Sequence, residues 1–228
     1  MFERFKKAFS GNAKDTAGPN SQLAHGPVSE WAATQGFGFS VDGTGRGVSL
    51  EGNVRGRPWR LQLGSPSRHY IRGEELRARA QLGVNEDAAV LVMNRPLKEA
   101  LEKQAYELYT DSLRTSADPR LPEEMRWLAM YDEVGWDNLP RAFWDRYGVL
   151  SDRREDAEAW IDPALGRLML EWSDPAPSTE VPFMMMLLRG KLYLRMEYTP
   201  ADVGILQHAA LIFTSACESA MDDWTAAA

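Results

Sequence analysis

Apolar and polar positions alternate with a period of two in several stretches of the chain, and each such stretch predicts a strand with one buried face. In Glu75–Leu82, Leu76, Ala78, Ala80 and Leu82 fall on one side and Arg77, Arg79 and Gln81 on the other. Arg57–Leu63 repeats the pattern, with Trp59, Leu61 and Leu63 opposed by Arg60 and Gln62. Phe37–Val41, Val48–Val54 and Ala88–Met93 are also strand-like, and the Gly, Pro, Ser and Asn between these runs predict a meander. Val181–Leu188 is an unbroken apolar run containing Met184, Met185 and Met186, as expected of a central strand covered on both faces. Arg189-Gly190 turns the chain. Lys191–Tyr198 then alternates strictly: Leu192, Leu194, Met196 and Tyr198 against Lys191, Tyr193, Arg195 and Glu197.

Elsewhere the period changes to three and four. Asn94 as cap and Pro96 in the first turn predict a helix to about Leu113, with Leu97, Leu101, Ala105 and Leu108 on its apolar side. Pro200 opens a longer one, in which Val203, Leu206, Ala210, Phe213, Cys217, Ala220 and Trp224 form a stripe widened by Ile205, Ala209, Ile212 and Ala216. Shorter helices are expected from an N-cap at Ser29 to Gly36, from Asn138 through Tyr147, and over Arg154–Trp160. Glu124–Val134 fits neither period, and Asp118–Pro122 is a break. The expected class is α+β, an antiparallel sheet packed by a mid-chain helix and a long C-terminal helix. A division into two sheet-and-helix halves near 115–122 is a variant, since Arg55-Gly56-Arg57 and Arg189-Gly190-Lys191 each join two strands.

Ahead of this body, Met1–Phe9 reads as a short amphipathic helix with Phe2, Phe5 and Phe9 on one face and Arg4, Lys6 and Lys7 around the rest. Ser10–Gly26 has a linker composition, so residues 1–26 are expected as an arm and linker and 27–228 as the globular body.

Composition adds bounds. With 44% hydrophobic residues among 228, the chain can bury a substantial core. The single cysteine, Cys217, excludes an internal disulfide and makes a reducing compartment, the cytoplasm, the expected location. No apolar run is long enough for a membrane span. Charge is asymmetric: residues 1–79 carry twelve Lys and Arg against seven Asp and Glu, while the chain as a whole has a net charge of −7. A basic front on an acidic body predicts a protein that meets an anionic partner with one side.

The signals for catalysis are weak. His25, His69 and His208 lack a second ligand at metal spacing, so no metal or cofactor is expected. Cys217 lies on the apolar stripe and reads as a structural thiol. Asp42-Gly43-Thr44-Gly45-Arg46-Gly47 lacks the Lys-Ser/Thr ending and following helix of a phosphate loop and reads as a hairpin turn. Carboxylates cluster at Glu123-Glu124, Asp132-Glu133, Glu155-Asp156-Glu158 and Asp222-Asp223, without calcium-loop spacing.

Binding signals are better. Seven arginines lie between 55 and 79, and Arg60, Arg77 and Arg79 occupy the polar faces of their strands, where pairing would cluster them. Arginine favours forked hydrogen bonds to carboxylate or phosphate. Trp59, His69 and Tyr70, close in sequence, could stack on bases, but the net negative charge counts against nucleic acid. The same face could instead dock on the chain's own acidic remainder. The basic arm could meet an anionic membrane surface, a partner's groove, or the body itself. The expectation is a non-enzymatic cytoplasmic binding or adaptor protein. It would engage an acidic protein partner, or the inner membrane face, through Phe2, Phe5, Lys6, Lys7, Phe9, Arg60, Arg77 and Arg79. The alternatives are a binder of a hydrophobic small molecule or lipid, sited between sheet and C-terminal helix beside Met185 and Phe213, and a carboxylate-dependent hydrolase.

Overall fold

The computed structural model describes residues 20–43, 45, 47–111, 123–199 and 201–225. The chain runs α1 (Asn20–Gln35), β1 (Gly38–Val41), β2 (Val48–Val54), β3 (Arg57–Gly64), β4 (Glu75–Gln81), β5 (Ala89–Asn94) and α2 (Arg95–Asp111). It continues with α3 (Glu123–Met130), β6 (Asp132–Val134), α4 (Arg141–Arg146), β7 (Tyr147–Ser151), α5 (Arg154–Trp160), α6 (Pro163–Leu170), β8 (Phe183–Leu188), β9 (Lys191–Glu197) and α7 (Val203–Thr225). All strands join one antiparallel sheet in the order β1-β2-β3-β4-β9-β8-β5-β7-β6. The fold is α+β with a long C-terminal helix.

Antiparallel hairpins explain most of this order. Arg55-Gly56 and Arg189-Gly190 both have positive φ (48° and 81°, 53° and 68°), the signature of two-residue type I′ turns whose twist matches that of the flanking strands. The echo between the two stretches is therefore one of turn chemistry. The early strands and the late hairpin interleave: β9 pairs with β4, and β8 with β5, so β4 and β5, consecutive in sequence, are separated by the hairpin.

One face of the sheet is covered along its length. Leu50, Leu61, Leu76, Leu194, Met185 and Val92 point into a core with Ile205, Leu206, Ala209, Phe213 and Cys217 of α7, Ala32 of α1, and residues of α4, α5 and α6. The other face carries a smaller cluster: Leu91, Met93, Leu150, Met184 and Met186 beneath Leu97 and Leu101 of α2 and Trp127 of α3. β8 is thus covered on both sides, as its unbroken apolar run predicts.

Several expectations need correction. The arm at 1–9 and the proposed division near 115–122 lie outside the described residues. The N-terminal helix begins at Asn20 rather than after Gly26, and runs through Pro27. Ser29, expected to cap it, donates its hydroxyl to the Gly26 carbonyl inside the helix at 2.9 Å. Burial of Val28 and Ala32 against the sheet outweighs the local break signal at Gly26-Pro27. Asn94 does not act as a cap. Being buried, it finds partners across the fold: its amide donates to Thr179 O at 2.7 Å and Val181 O at 3.1 Å, and its oxygen accepts from Phe183 N at 2.9 Å, pinning the entry to β8. The ambiguous stretch 124–134 is both things in turn, α3 and then β6. The helix expected through Tyr147 stops at Arg146, and Tyr147–Ser151 forms a strand of five buried residues.

Candidate functional site

Register places the arginines. On the face opposite α7, Arg60 of β3 sits across from Arg79 of β4, and Gln62 across from Arg77. The rows continue in both directions. Glu51–Arg60–Arg79–Tyr193 is one, and Ser49–Gln62–Arg77–Arg195 the next, spanning β2, β3, β4 and β9. Neighbouring strands lie about 4.8 Å apart, so residues in one row touch. Arg60, Arg77 and Arg79 are brought together as their alternation implied. Among the described residues α2 and α3 build their core over β5, β7 and β8 and touch β9 at Tyr193 and, through Glu124, at Arg195, leaving the Arg60–Arg79 part of the sheet without a helix over it.

The basic groups differ in what they meet. Arg60 donates through Nε to Glu51 Oε1 at 2.8 Å, within the face. Arg195 is held by Glu75, whose carboxylate is fully buried, with Nε–Oε1 at 3.1 Å, and lies 3.5 Å from Glu124 Oε1. Glu124 also takes Arg68 Nε and, at 3.2 Å, the Tyr70 hydroxyl. Burial, reinforced by the charge of Glu124, pushes the Tyr70 phenol well above its ordinary range. This buried network marks the border between the covered and open parts of the face. Arg77, Arg79 and Lys191 have no carboxylate within ion-pair distance among the described residues.

Two clefts flank Arg60. The larger, about 750 Å³, is lined by Glu51, Arg60, Arg79, Gln81, Lys191 and Tyr193, with Gly52, Pro58 and Trp59 at its outer end. Trp59 itself is buried between Phe37 and Phe213, with edge-on contacts of 4.9 and 6.4 Å between ring centres, and its indole lies over Gly52. A Cβ at 52 would fall 2.4 Å from that ring. The second cleft, about 360 Å³, lies beside the β1–β2 turn and includes Ser40, Ser49, Arg60, Gln62, Ser65 and Arg77.

Sequence reasoning missed Arg195, Lys191 and Tyr193 as members of the face. Their alternation was visible, but only the pairing of β9 with β4 places them beside Arg77 and Arg79. The aromatic trio Trp59, His69 and Tyr70 is not assembled for stacking. Trp59 faces the core, Tyr70 is tied to Glu124, and His69 meets Gln104 Oε1 at 3.0 Å. Phe2, Phe5, Lys6, Lys7 and Phe9 lie outside the described residues.

The other candidates are otherwise employed. Cys217 is buried, and burial pushes its thiol far up from the ordinary range, away from the thiolate form. His208 meets the Leu168 carbonyl at 2.9 Å and packs on Trp172. The Gly-rich turn closes as a hairpin, with Asp42 N to Gly47 O at 2.8 Å. Met185 and Phe213 are fully buried in the core, and neither lines either cleft. Carboxylates do line a shallow groove between α6 and α7. There, however, Asp162 caps α6 through Leu165 N, Asp222 pairs with Arg55, and Glu171 and Glu218 are exposed, unlike the desolvated carboxyl of a general acid. Among the described residues no three His, Cys, Asp or Glu side chains converge as a metal ion requires, and no helix is long and apolar enough to cross a membrane. No protein-family model, curated protein or solved structure matches the chain.

Proposed function

We propose that the chain is a non-enzymatic binding protein that holds an acidic polypeptide segment of a partner in the larger cleft of the open sheet face. One observation supports this reading above the others. In a chain of net charge −7, Arg79 and Lys191 have no carboxylate partner among the described residues and lie on a face that no described helix covers, while the neighbouring Arg60 and Arg195 are matched by Glu51 and Glu75. Tyr193 lies in register with Arg79 and supplies an amphipathic surface between the two cations. Arg79 presents a fork for one carboxylate and Lys191 a point charge for the next. An anionic membrane surface is the competing partner.

The test is a titration of fluorescein-labelled peptide, fifteen residues rich in Glu and Asp, against wild type and the Arg79→Glu, Lys191→Glu double variant. Both side chains are exposed, so the thermal midpoint should stay within the small range typical of surface substitutions. Binding should fall by at least about tenfold and weaken with salt in the wild type. Equal binding by the double variant removes the reading. Pelleting of the wild type, but not the variant, with phosphatidylserine vesicles in the absence of peptide binding transfers the face to a membrane.

A further inference from the structure

The second cleft has a different chemistry. Its lining from β1, β2, β3 and β4 is a run of donors: Ser40, Ser49, Gln62 and Arg77 follow one another across four strands in direct register. Two of them carry a buried polar atom without a hydrogen-bond partner, Ser49 Oγ and Arg77 Nε. Such atoms are uncommon, because leaving a buried donor unmet costs more than an average hydrogen bond returns. Two in one row of one cleft, with Gln62 between them, point to a common cause. Arg77 Nε can only donate, so whatever meets it accepts. It also belongs to the Nε–Nη edge of the guanidinium, the fork that grips two oxygens of one oxyanion.

Charge leads to the same ligand class. Arg60, at the cleft's edge, is matched by Glu51, and Arg195, next in the row, by Glu75, which leaves Arg77 as the lining cation unmatched among the described residues. Asp42, the one carboxylate among the described lining residues, has a contact of its own. Donors approaching from β2, β3 and β4 ask for more than the two coplanar oxygens of a carboxylate. A tetrahedral phosphoryl group offers three oxygens pointing to different strands, and about 360 Å³ has room for it and the atoms that carry it.

We propose that this cleft binds a phosphate monoester, with Arg77 gripping two oxygens and Ser49 and Gln62 donating to the third. The site goes beyond the acidic-polypeptide reading, in a different cleft and for a different ligand chemistry.

The experiment is an NMR titration of the full chain at constant ionic strength, following the Arg77 Nε–H resonance and the Ser49 and Gln62 amides. Inorganic phosphate, a phosphoserine-containing tripeptide and acetate are added separately. Saturable shifts are expected with both phosphates at concentrations where acetate gives none. Arg77→Lys keeps the charge but loses the fork, and should weaken binding about tenfold as read on the Ser49 and Gln62 amides. Ser49→Ala should weaken it by a smaller factor, and Arg141→Ala, on a side chain 92% exposed on α4, should leave it unchanged. Tighter binding of the tripeptide than of inorganic phosphate identifies a phosphorylated side chain as the source, and equal binding shows that the phosphoryl group alone is recognised, whatever carries it. No saturable shift with either phosphate, or shifts matched by acetate, overturns the site even if the acidic peptide binds. Phosphate binding without peptide binding keeps the site and removes the polypeptide reading.

Discussion

Two parts of one sheet face have opposite character, although they share strands and rows. Followed from β2, one row reads Glu51, Arg60, Arg79 and Tyr193, then Met186, Leu91 and Leu150. The next reads Ser49, Gln62, Arg77 and Arg195, then Met184, Met93 and Gly148. The change falls between β9 and β8. On the apolar side α2 and α3 complete a second core; on the polar side the loop at Ser67 closes over Glu75, and no described helix covers the rest. Where a face is covered, hydrophobic burial sets its residues. Where it is not, charged side chains remain, and three of them have no ion-pair partner among the described residues. The border is where cost concentrates, because a charged residue there lies against a core.

That border offers the sharpest way to break the comparison. Arg195→Met leaves the fully buried Glu75 carboxylate without its cation, and should destabilise the fold by about 3 kcal/mol in urea unfolding, since an uncompensated buried charge remains. A loss under about 1 kcal/mol would mean that the border is held by packing alone. Next in size is the contrast between faces. Met184→Ala, in the covered row, should cost about 2 kcal/mol or more through the cavity it leaves, whereas Arg77→Ala, two strands away in the same row, should cost far less. Equal costs would show that the open face is structural.

The smallest effect concerns how the covered half is tied down. Lys98 of α2 crosses over Gly148, where a Cβ would fall 2.9 Å from its stem, and meets Glu133 of β6 at 2.9 Å and Glu102 at 2.6 Å. Partial burial opposes ionisation of Glu133, but hydrogen bonds and charge from Lys98 and Arg95 prevail and hold its carboxyl below the ordinary value of 4.5. A carboxyl held lower in the folded state stabilises fully above its unfolded value, and this is lost as pH falls through the folded one. The thermal midpoint of wild type should therefore exceed that of Glu133→Gln at neutral pH, and the gap should close below about pH 4. A gap that persists in acid would assign the difference to packing.

Much of the fold was legible because its signals are local. Val48–Val54 and Arg57–Leu63 alternate in a period only a half-buried strand satisfies, and the stripe of α7 needs a sheet to cover it. The I′ turns at Arg55-Gly56 and Arg189-Gly190 are written in two residues each. Tyr147–Ser151 was not legible. It is a short buried strand fused directly to a helix, so its apolar residues extend the helical pattern and show no period of their own. Asn94 was misread for a similar reason, since a capping residue and a cross-fold anchor look alike until the partner segment 179–183 is in place.

For the candidate site, the sequence by itself determined which side chains leave each strand on the polar side, because a period of two admits no other outcome: Arg60, Arg77 and Arg79, and equally Lys191, Tyr193 and Arg195. Only the tertiary structure decided that these two sets share a surface, because β9 reaches β4 across more than a hundred residues of chain and no local preference encodes that pairing. It also decided which charges are spoken for. Glu75 and Glu124 look in sequence like any exposed carboxylates, and only the fold buries them against Arg195 while leaving Arg77, Arg79 and Lys191 to face outward.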